Sequence, residues 1–326
     1  MNPILPQRLL ADPGLVALVG GVLGLLVIAT AIGTILRRQV RSETAAATVA
    51  NLNARIRAWW VMVAVFLTLL LVGRDGTLVL FGTLSFLALR EFISLMPTRL
   101  TDHRAMFWIF FVLTPLQYWS IHVAWYGLFI ALIPVLAFLV IPSRIVATGD
   151  GVEFLSRTAN LQWALMVCVY CVSHAPAILM LQIPGFDGQN AKLLFYFVLL
   201  VQLSDVLQYV WGKLLGRRAI APTISPNKTW EGFWGGVLCT TGIGAALHWA
   251  TPFSPGAAAL IALVTSFFGF LGGLTMSAIK RGFGVKDYGT LIEGHGGVLD
   301  RLDSVCFAAP VFFHITRYFY TAIPGL

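Results

Sequence analysis

The sequence predicts an all-α fold, a polytopic transmembrane helical bundle of about 9–10 spans. Three observations carry that expectation. Of 326 residues, 58% are hydrophobic and only 11% are charged, with a mean hydropathy of +0.83, which is more apolar than a soluble core requires. Runs of about 20 apolar residues, enough to cross a hydrocarbon core of about 30 Å, recur along the whole chain. Most of the charge falls in the gaps between those runs.

Taken in order, the runs place spans near 15–36, 58–73, 77–96, 106–121, 124–142, 161–181, 192–211, 232–250, 257–279 and 304–323. The first is too long for the apolar region of a signal peptide and has no clear cleavage motif, so it is read as a retained helix. Within 58–96 and 106–142 the gaps are short enough to admit re-entrant or interfacial segments, hence the range of 9–10. The loops at 37–57, 97–105, 143–160, 212–231 and 280–303 alternate sides and hold 17 of the 22 Lys and Arg residues. The positive-inside rule assigns that side to the cytoplasm and puts both termini outside. The net charge of +8 is therefore topology, with some attraction to anionic headgroups. No soluble basic domain is left to bind nucleic acid.

Four cysteines do not make a redox or metal motif. Cys168 and Cys171 form "CVYC" inside an apolar run with no second pair, so packing is the expected role, as for Cys239 and Cys306. The chain divides into N-terminal scaffold helices, 1–190, and a C-terminal region, 191–326, whose loops 212–231 and 280–303 are dense in Gly, Pro and charge. In the first part, Arg90 and Glu91 are neighbours in sequence and cannot face each other on one helix turn. They are expected to snorkel at the cytoplasmic end of their helix. Asp205 differs, because it falls within a span about two turns before Lys213. A carboxylate at that depth is costly unless paired, which makes it a functional candidate.

Loop 212–231 carries Lys213, Arg217, Arg218 and Lys228, followed by Thr229 and Glu231. Fixed cations beside a helix start suit a polyphosphate, although Arg217 and Arg218 alone read as topology. In "SPNKTWEG", Ser225-Pro-Asn initiates a turn and Thr229 can cap the next helix, holding Lys228 at the cap. The second loop, "IKRGFGVKDYGTLIEGHGGVLDRLD" at 279–303, gathers four basic residues, four acidic ones and six glycines. Asp300 and Asp303 are spaced i, i+3, on one face of a helix starting near residue 298. Two converging carboxylates repel, and a divalent cation such as Mg²⁺, completed by phosphate oxygens, resolves that repulsion. His295, flanked by Gly294, Gly296 and Gly297, looks positioned as a base, a phosphate donor or scaffold.

The run Ser277, Lys280, Arg281, Lys286, Asp287, Gly289, Ile292, His295, Gly296, Gly297, Asp300, Arg301 and Asp303 resembles the signature of the phosphatidate cytidylyltransferase family over some 27 residues. "SPNKTWEG" and "SD" at 204–205 extend the resemblance to about residues 200–310. The resemblance implies an enzyme of the bacterial inner membrane, active on its cytoplasmic side. Its partners would be CTP, phosphatidic acid and membrane lipids, with Mg²⁺ as cofactor and no nucleic acid. It leaves open a second cation and a homodimer. By matching positions, Asp287, His295, Asp300, Asp303, Lys280 and Arg281 are the expected catalytic residues. Ser225, Lys228, Thr229, Lys286, Gly296, Gly297 and Arg301 would hold CTP and phosphates. Asp300, Asp303, Asp287 and Asp205 would hold the metal. Two departures stand out: Gly273 replaces an acid the family usually has there, and "SDVLQY" replaces the usual small residues and aromatic. The alternatives are a cytidylyltransferase for another lipid phosphate, a CTP-dependent polyprenol kinase, or an inactive or transport-type membrane homologue.

Overall fold

The computed structural model describes residues 12–39, 42–291 and 296–321. Ten helical segments lie among them: α1 (Pro13–Gln39), α2 (Glu43–Val72), α3 (Arg74–Ser94), α4 (103–122), α5 (Tyr126–Val146), α6 (Phe154–Met180), α7 (Asn190–Leu215), α8 (Trp230–Ala246), α9 (Pro255–Gly282) and α10 (Leu299–Tyr320). Seven of these are long and apolar enough to cross a membrane by themselves: α1, α3, α5, α6, α7, α9 and Val49–Val72 of α2. The molecule is thus a polytopic helical membrane protein. The expected loop 37–57 is helix from Glu43 onward, because "ETAAATVA" is alanine-rich and helix-favouring and charge placement says nothing against a helix. Between α2 and α3 the only linking residue is Gly73, at φ 97°, a conformation that lets two long helices reverse within one residue. The segments 58–73 and 77–96 are therefore separate full helices.

π-helical turns at Ile109–Leu113, Leu132–Ala137 and Met166–Cys171 interrupt α4, α5 and α6. Each lies at or within five residues of a proline (Pro115, Pro134, Pro176), whose missing N–H breaks the regular ladder. Cys168 and Cys171 sit in the third of these turns as free thiols, consistent with packing. The helices start where the chain supplies caps. Thr229 Oγ1 accepts from Gly232 N at 3.1 Å ahead of α8. Ser254, followed by Pro255, caps α9.

One departure from all-α lies in the expected loop 212–231. Ala219–Ala221 (β1) and Ser225–Thr229 (β2) form an antiparallel hairpin turned by Pro222. Packing between helices relies on small residues, as lipid gives little drive for apolar faces to associate. On α8, a Cβ at Gly236 would stand 2.3 Å from Gln208 Cγ of α7. On α9, a Cβ at Gly272 would stand 2.5 Å from the Asp303 carbonyl of α10. These contacts bring the C-terminal ends of α7 and α9 and the starts of α8 and α10 together, with the hairpin across them. Beneath that end, Phe197 and Phe312 pack at 5.0 Å between centroids in a fully buried aromatic layer. By contrast, α1 and α2 form an outer hairpin whose apolar windows are only 17% and 6% buried.

A buried ion network closes the base of α4–α6. Arg157 pairs with Asp102 and, at 3.1 Å, with Asp150. The Thr101 hydroxyl at 2.9 Å, then the Val152 amide and Arg99, hold the Asp150 carboxyl down to about 2. A carboxyl depressed on folding contributes stability above its ordinary 3.8, and that contribution is lost as pH falls through about 2. Acid titration of the detergent-solubilised protein is therefore expected to lower its melting temperature across that window. Asp150→Asn should remove part of the pH-dependent fall; an unchanged slope would exclude this network.

Candidate active site

The site is assembled around segments 283–291 and 296–298, between α9 and α10. Lys280 and Arg281 close α9, where cations are favoured by the helix dipole. The chain then turns back and is pinned by Tyr288. That ring stacks on Phe92 of α3 at 6.0 Å, its hydroxyl donates to the Met276 carbonyl at 3.0 Å, and it is 3% exposed.

Asp300 organises this loop. One carboxylate oxygen accepts from Lys280 Nζ at 2.7 Å, and the other from the Tyr288 and Gly297 amides at 2.8 and 2.9 Å. Both members of the ion pair are buried. Gly296 adopts φ 80°, and a Cβ there would lie 2.8 Å from Asp300 Oδ2, so only glycine fits. In the structure the expected Asp300/Asp303 pair has two different surroundings: the Asp300 oxygens accept from Lys280 and from the Tyr288 and Gly297 amides, whereas Asp303 bonds to the Ser304 amide. Asp287 and Lys286 are exposed. Among the described residues no three His, Cys, Asp or Glu gather as a metal cluster.

Asp303 belongs to a second group. Its Oδ1 accepts from the Ser304 amide at 2.8 Å, and the Ser304 hydroxyl donates to Asp205 of α7 at 2.9 Å. The two carboxylates lie close enough to feel each other's charge and that of Lys228 and Arg301. Lys228 reaches in from β2. Burial lowers its pKa, while Asp303 and then Asp205 raise it. Its ammonium sits over the Phe270 ring at 5.0 Å. A Cβ on Gly273 would stand 2.7 Å from that ammonium and 3.9 Å from Asp303 Oδ2. Where the family signature led one to expect an acid, this chain has room for a lysine head.

The remaining expected site residues fall elsewhere. Arg281 is exposed and donates to the carbonyls of Ile224 and Val285 at 3.2 and 2.9 Å, tying the hairpin to the loop. Thr229 is the α8 cap, and Ser225 opens β2. Arg217 and Arg218 are exposed, and their amides donate to Glu231. His295 and Gly294 lie outside the described residues.

Glu91 was expected to snorkel with Arg90. Arg90 is exposed, but Glu91 accepts from the Val298 and Leu299 amides, both at 2.9 Å, and so caps α10 from the N-terminal half. Gly289 and Gly297 give it room: Cβ atoms there would come within 2.7 and 2.4 Å of its carboxylate. No sequence signal marks this pairing, because the partners are 207 residues apart. Glu91→Ala is expected to cost about 1 kcal/mol, the usual value of a lost N-cap. It should also lower activity by displacing Asp300 and Asp303 together. Calorimetry alongside turnover assays would check this, and full activity would separate the cap from the site.

A model described as the cytidylyltransferase family matches residues 53–319. The chain is 39% identical over 272 residues, 82% of its length and 88% of the relative's, to the Escherichia coli K12 protein called uncharacterized protein YnbB. It is 41% identical over 126 residues to a Staphylococcus aureus phosphatidate cytidylyltransferase, and 44% identical over 126 residues to one from Staphylococcus epidermidis. Those alignments cover 38% of this chain and 48% of each staphylococcal protein, about half its length.

Proposed function

We propose, from the premise that this chain belongs to the cytidylyltransferase family, that it transfers CMP from CTP to the phosphate of phosphatidic acid at the cytoplasmic face of a bacterial inner membrane. An oxygen of the lipid phosphate attacks the α-phosphorus of CTP in line. The bond from that phosphorus to the bridging oxygen breaks, and pyrophosphate leaves with the electron pair. The nucleophile is already an anion, so no Ser, Cys or His nucleophile is needed. The protein has to align the two phosphates and stabilise charge on the α-phosphate and the leaving group.

The observation that carries this reading is the Asp205–Asp303–Lys228–Arg301 cluster, drawn from two helices and the hairpin at one end of the bundle. Lys228 and Arg301 would hold phosphate oxygens, with Lys280 kept behind them by Asp300. The donor set fits Mg²⁺ when a triphosphate supplies the other ligands, since Asp205 and Asp303 offer hard oxygens and Asp300, one helical turn from Asp303, keeps a lone pair on the oxygen that Lys280 bonds. Bound there, Mg²⁺ would neutralise charge building on the α-phosphate and pyrophosphate.

The test uses purified protein in detergent with phosphatidate and CTP labelled at the α- or γ-phosphate. Label from the α-position should enter the lipid and γ-label should leave as pyrophosphate. Transfer of γ-label to an acceptor, with CDP released, would replace this reading with a CTP-dependent kinase.

A further inference from the structure

The two helices that flank the β1–β2 hairpin carry their exposed apolar residues in stripes. Val206, Val210 and Leu214 of α7 are exposed and spaced i, i+4, i+8, and Trp230, Trp234 and Leu238 repeat that spacing on α8. Such spacing puts each set on one helix face. The two helices pack closely, since a Cβ on Gly235 of α8 would stand 2.5 Å from the Trp211 ring of α7. Together the stripes make an outward apolar face of the kind that meets lipid. At the end of the bundle that holds the site, this face finishes in the two tryptophans. Lys213, in the last turn of α7, and then Arg217 and Arg218 follow, all exposed. Tryptophans closing a lipid-facing stripe mark the headgroup level, and the three cations stand beside them. The acid nearest to them, Glu231, is held by the Arg217 and Arg218 amides at 3.0 and 3.3 Å. Among the described residues no carboxylate forms an ion pair with either guanidinium or with Lys213.

Topology explains why basic residues lie here, but not where their backbone leads. The Arg218 carbonyl accepts from the Trp230 amide at 3.0 Å, and Ala219 pairs with Thr229 across the hairpin. Lys228, the lysine of the Asp205–Asp303 cluster, is the neighbour of Thr229 on β2. At the hairpin's turn, the Ile224 carbonyl accepts from Arg281 at 3.2 Å. One hairpin therefore has free cations at its β1 end and a site lysine on β2. An occupant of the outer face must bring negative charge at headgroup depth and acyl chains to lie against Trp234 and Leu214. A soluble anion lacks the chains, and a zwitterionic headgroup lacks net charge. A phosphate diester on a membrane lipid has both, and the guanidinium fork matches its oxygens. We infer that the face formed by the end of α7, Arg217–Arg218 and the start of α8 is a docking surface for anionic lipids other than the substrate. The docked headgroups hold the hairpin, and with it Lys228, in place. A diester offers no phosphate monoester to act as acceptor, so this surface is separate from the substrate's place. The anionic lipid content of the membrane then becomes an input to the site.

The experiment is hydrogen–deuterium exchange of the full chain in nanodiscs of phosphatidylcholine with a rising fraction of phosphatidylglycerol. Peptides covering 216–230 are expected to exchange several-fold more slowly as phosphatidylglycerol rises, and salt at about 0.5 M should reverse most of that protection. One cation near an anionic surface is worth about fivefold in affinity, or about 1 kcal/mol. Arg217→Gln should therefore shift the response about fivefold towards higher phosphatidylglycerol, and Arg217→Gln with Arg218→Gln should abolish it. Arg217→Lys with Arg218→Lys should keep most of it, because the charge remains. Both side chains are exposed, so all these variants should melt like the parent chain. Equal protection by phosphatidylcholine or by inorganic phosphate would overturn the surface. So would an equal change in the basic loop 97–105, or a response untouched by the double Gln substitution. Exchange needs no turnover, so the surface and the proposed reaction fail separately. Hairpin protection without CMP transfer removes the reaction and keeps the surface, whereas transfer without hairpin protection does the reverse.

Discussion

Asp303→Asn is expected to lower kcat roughly 10²–10³-fold, the scale of removing one preorganised electrostatic group from a transition-state site. The melting temperature in detergent should stay unchanged. Asp303 bonds within the described structure to the amide of the very next residue, and the amide side chain keeps an oxygen for that contact. What disappears is the charge facing Lys228, Arg301 and Asp205. Asp300→Asn should behave differently although it lies one helical turn away. It strips Lys280 of its 2.7 Å partner in a buried pair, and leaving such a charge unpaired costs about 3–5 kcal/mol. Activity would fall there too, but together with the melting temperature. Two variants with equal activity loss and opposite thermal behaviour would establish that one acid organises the loop and the other acts on substrate. Unaltered kcat in Asp303→Asn would remove it from the chemistry.

The i, i+3 spacing of those acids was legible in the sequence, and their different partners were not. Spacing states which face of α10 they share; it does not state that α9 brings Lys280 and the Tyr288 amide onto one of them. The same limit applied to Glu91, whose partners lie across the fold. The spans were legible because each apolar run must satisfy its own backbone hydrogen bonds in lipid, and a helix does this locally. Where that constraint lapsed, at residues 43–57 and 219–229, charged composition hid a helix and a hairpin. Thr229 as a cap and the α10 start within one residue of 298 were readable because capping is a local interaction.

Gly273→Asp tests what the departure from the family signature does. In this chain the Lys228 ammonium lies where a side chain at 273 would begin, beside Asp303. The lysine already offsets part of the acid pair, so the apo site is expected to hold divalent cations weakly until a triphosphate adds its own oxygens. A carboxylate at 273 would meet the far end of a flexible lysine side chain, which can move aside, and would bring a third acid to Asp205 and Asp303. Divalent affinity rises with the number of charged oxygen ligands. Mn²⁺ binding to the nucleotide-free protein, followed by electron paramagnetic resonance, is therefore expected to tighten roughly a hundredfold, about 2.7 kcal/mol. Gly273→Ala is the control, since it displaces Lys228 without adding charge. It should raise the KM for CTP and leave Mn²⁺ affinity as it was. If both variants bind Mn²⁺ like the parent chain, position 273 does not face the metal-binding region, and the lysine head is a packing feature of α9 rather than a charge standing in for an acid-bound cation.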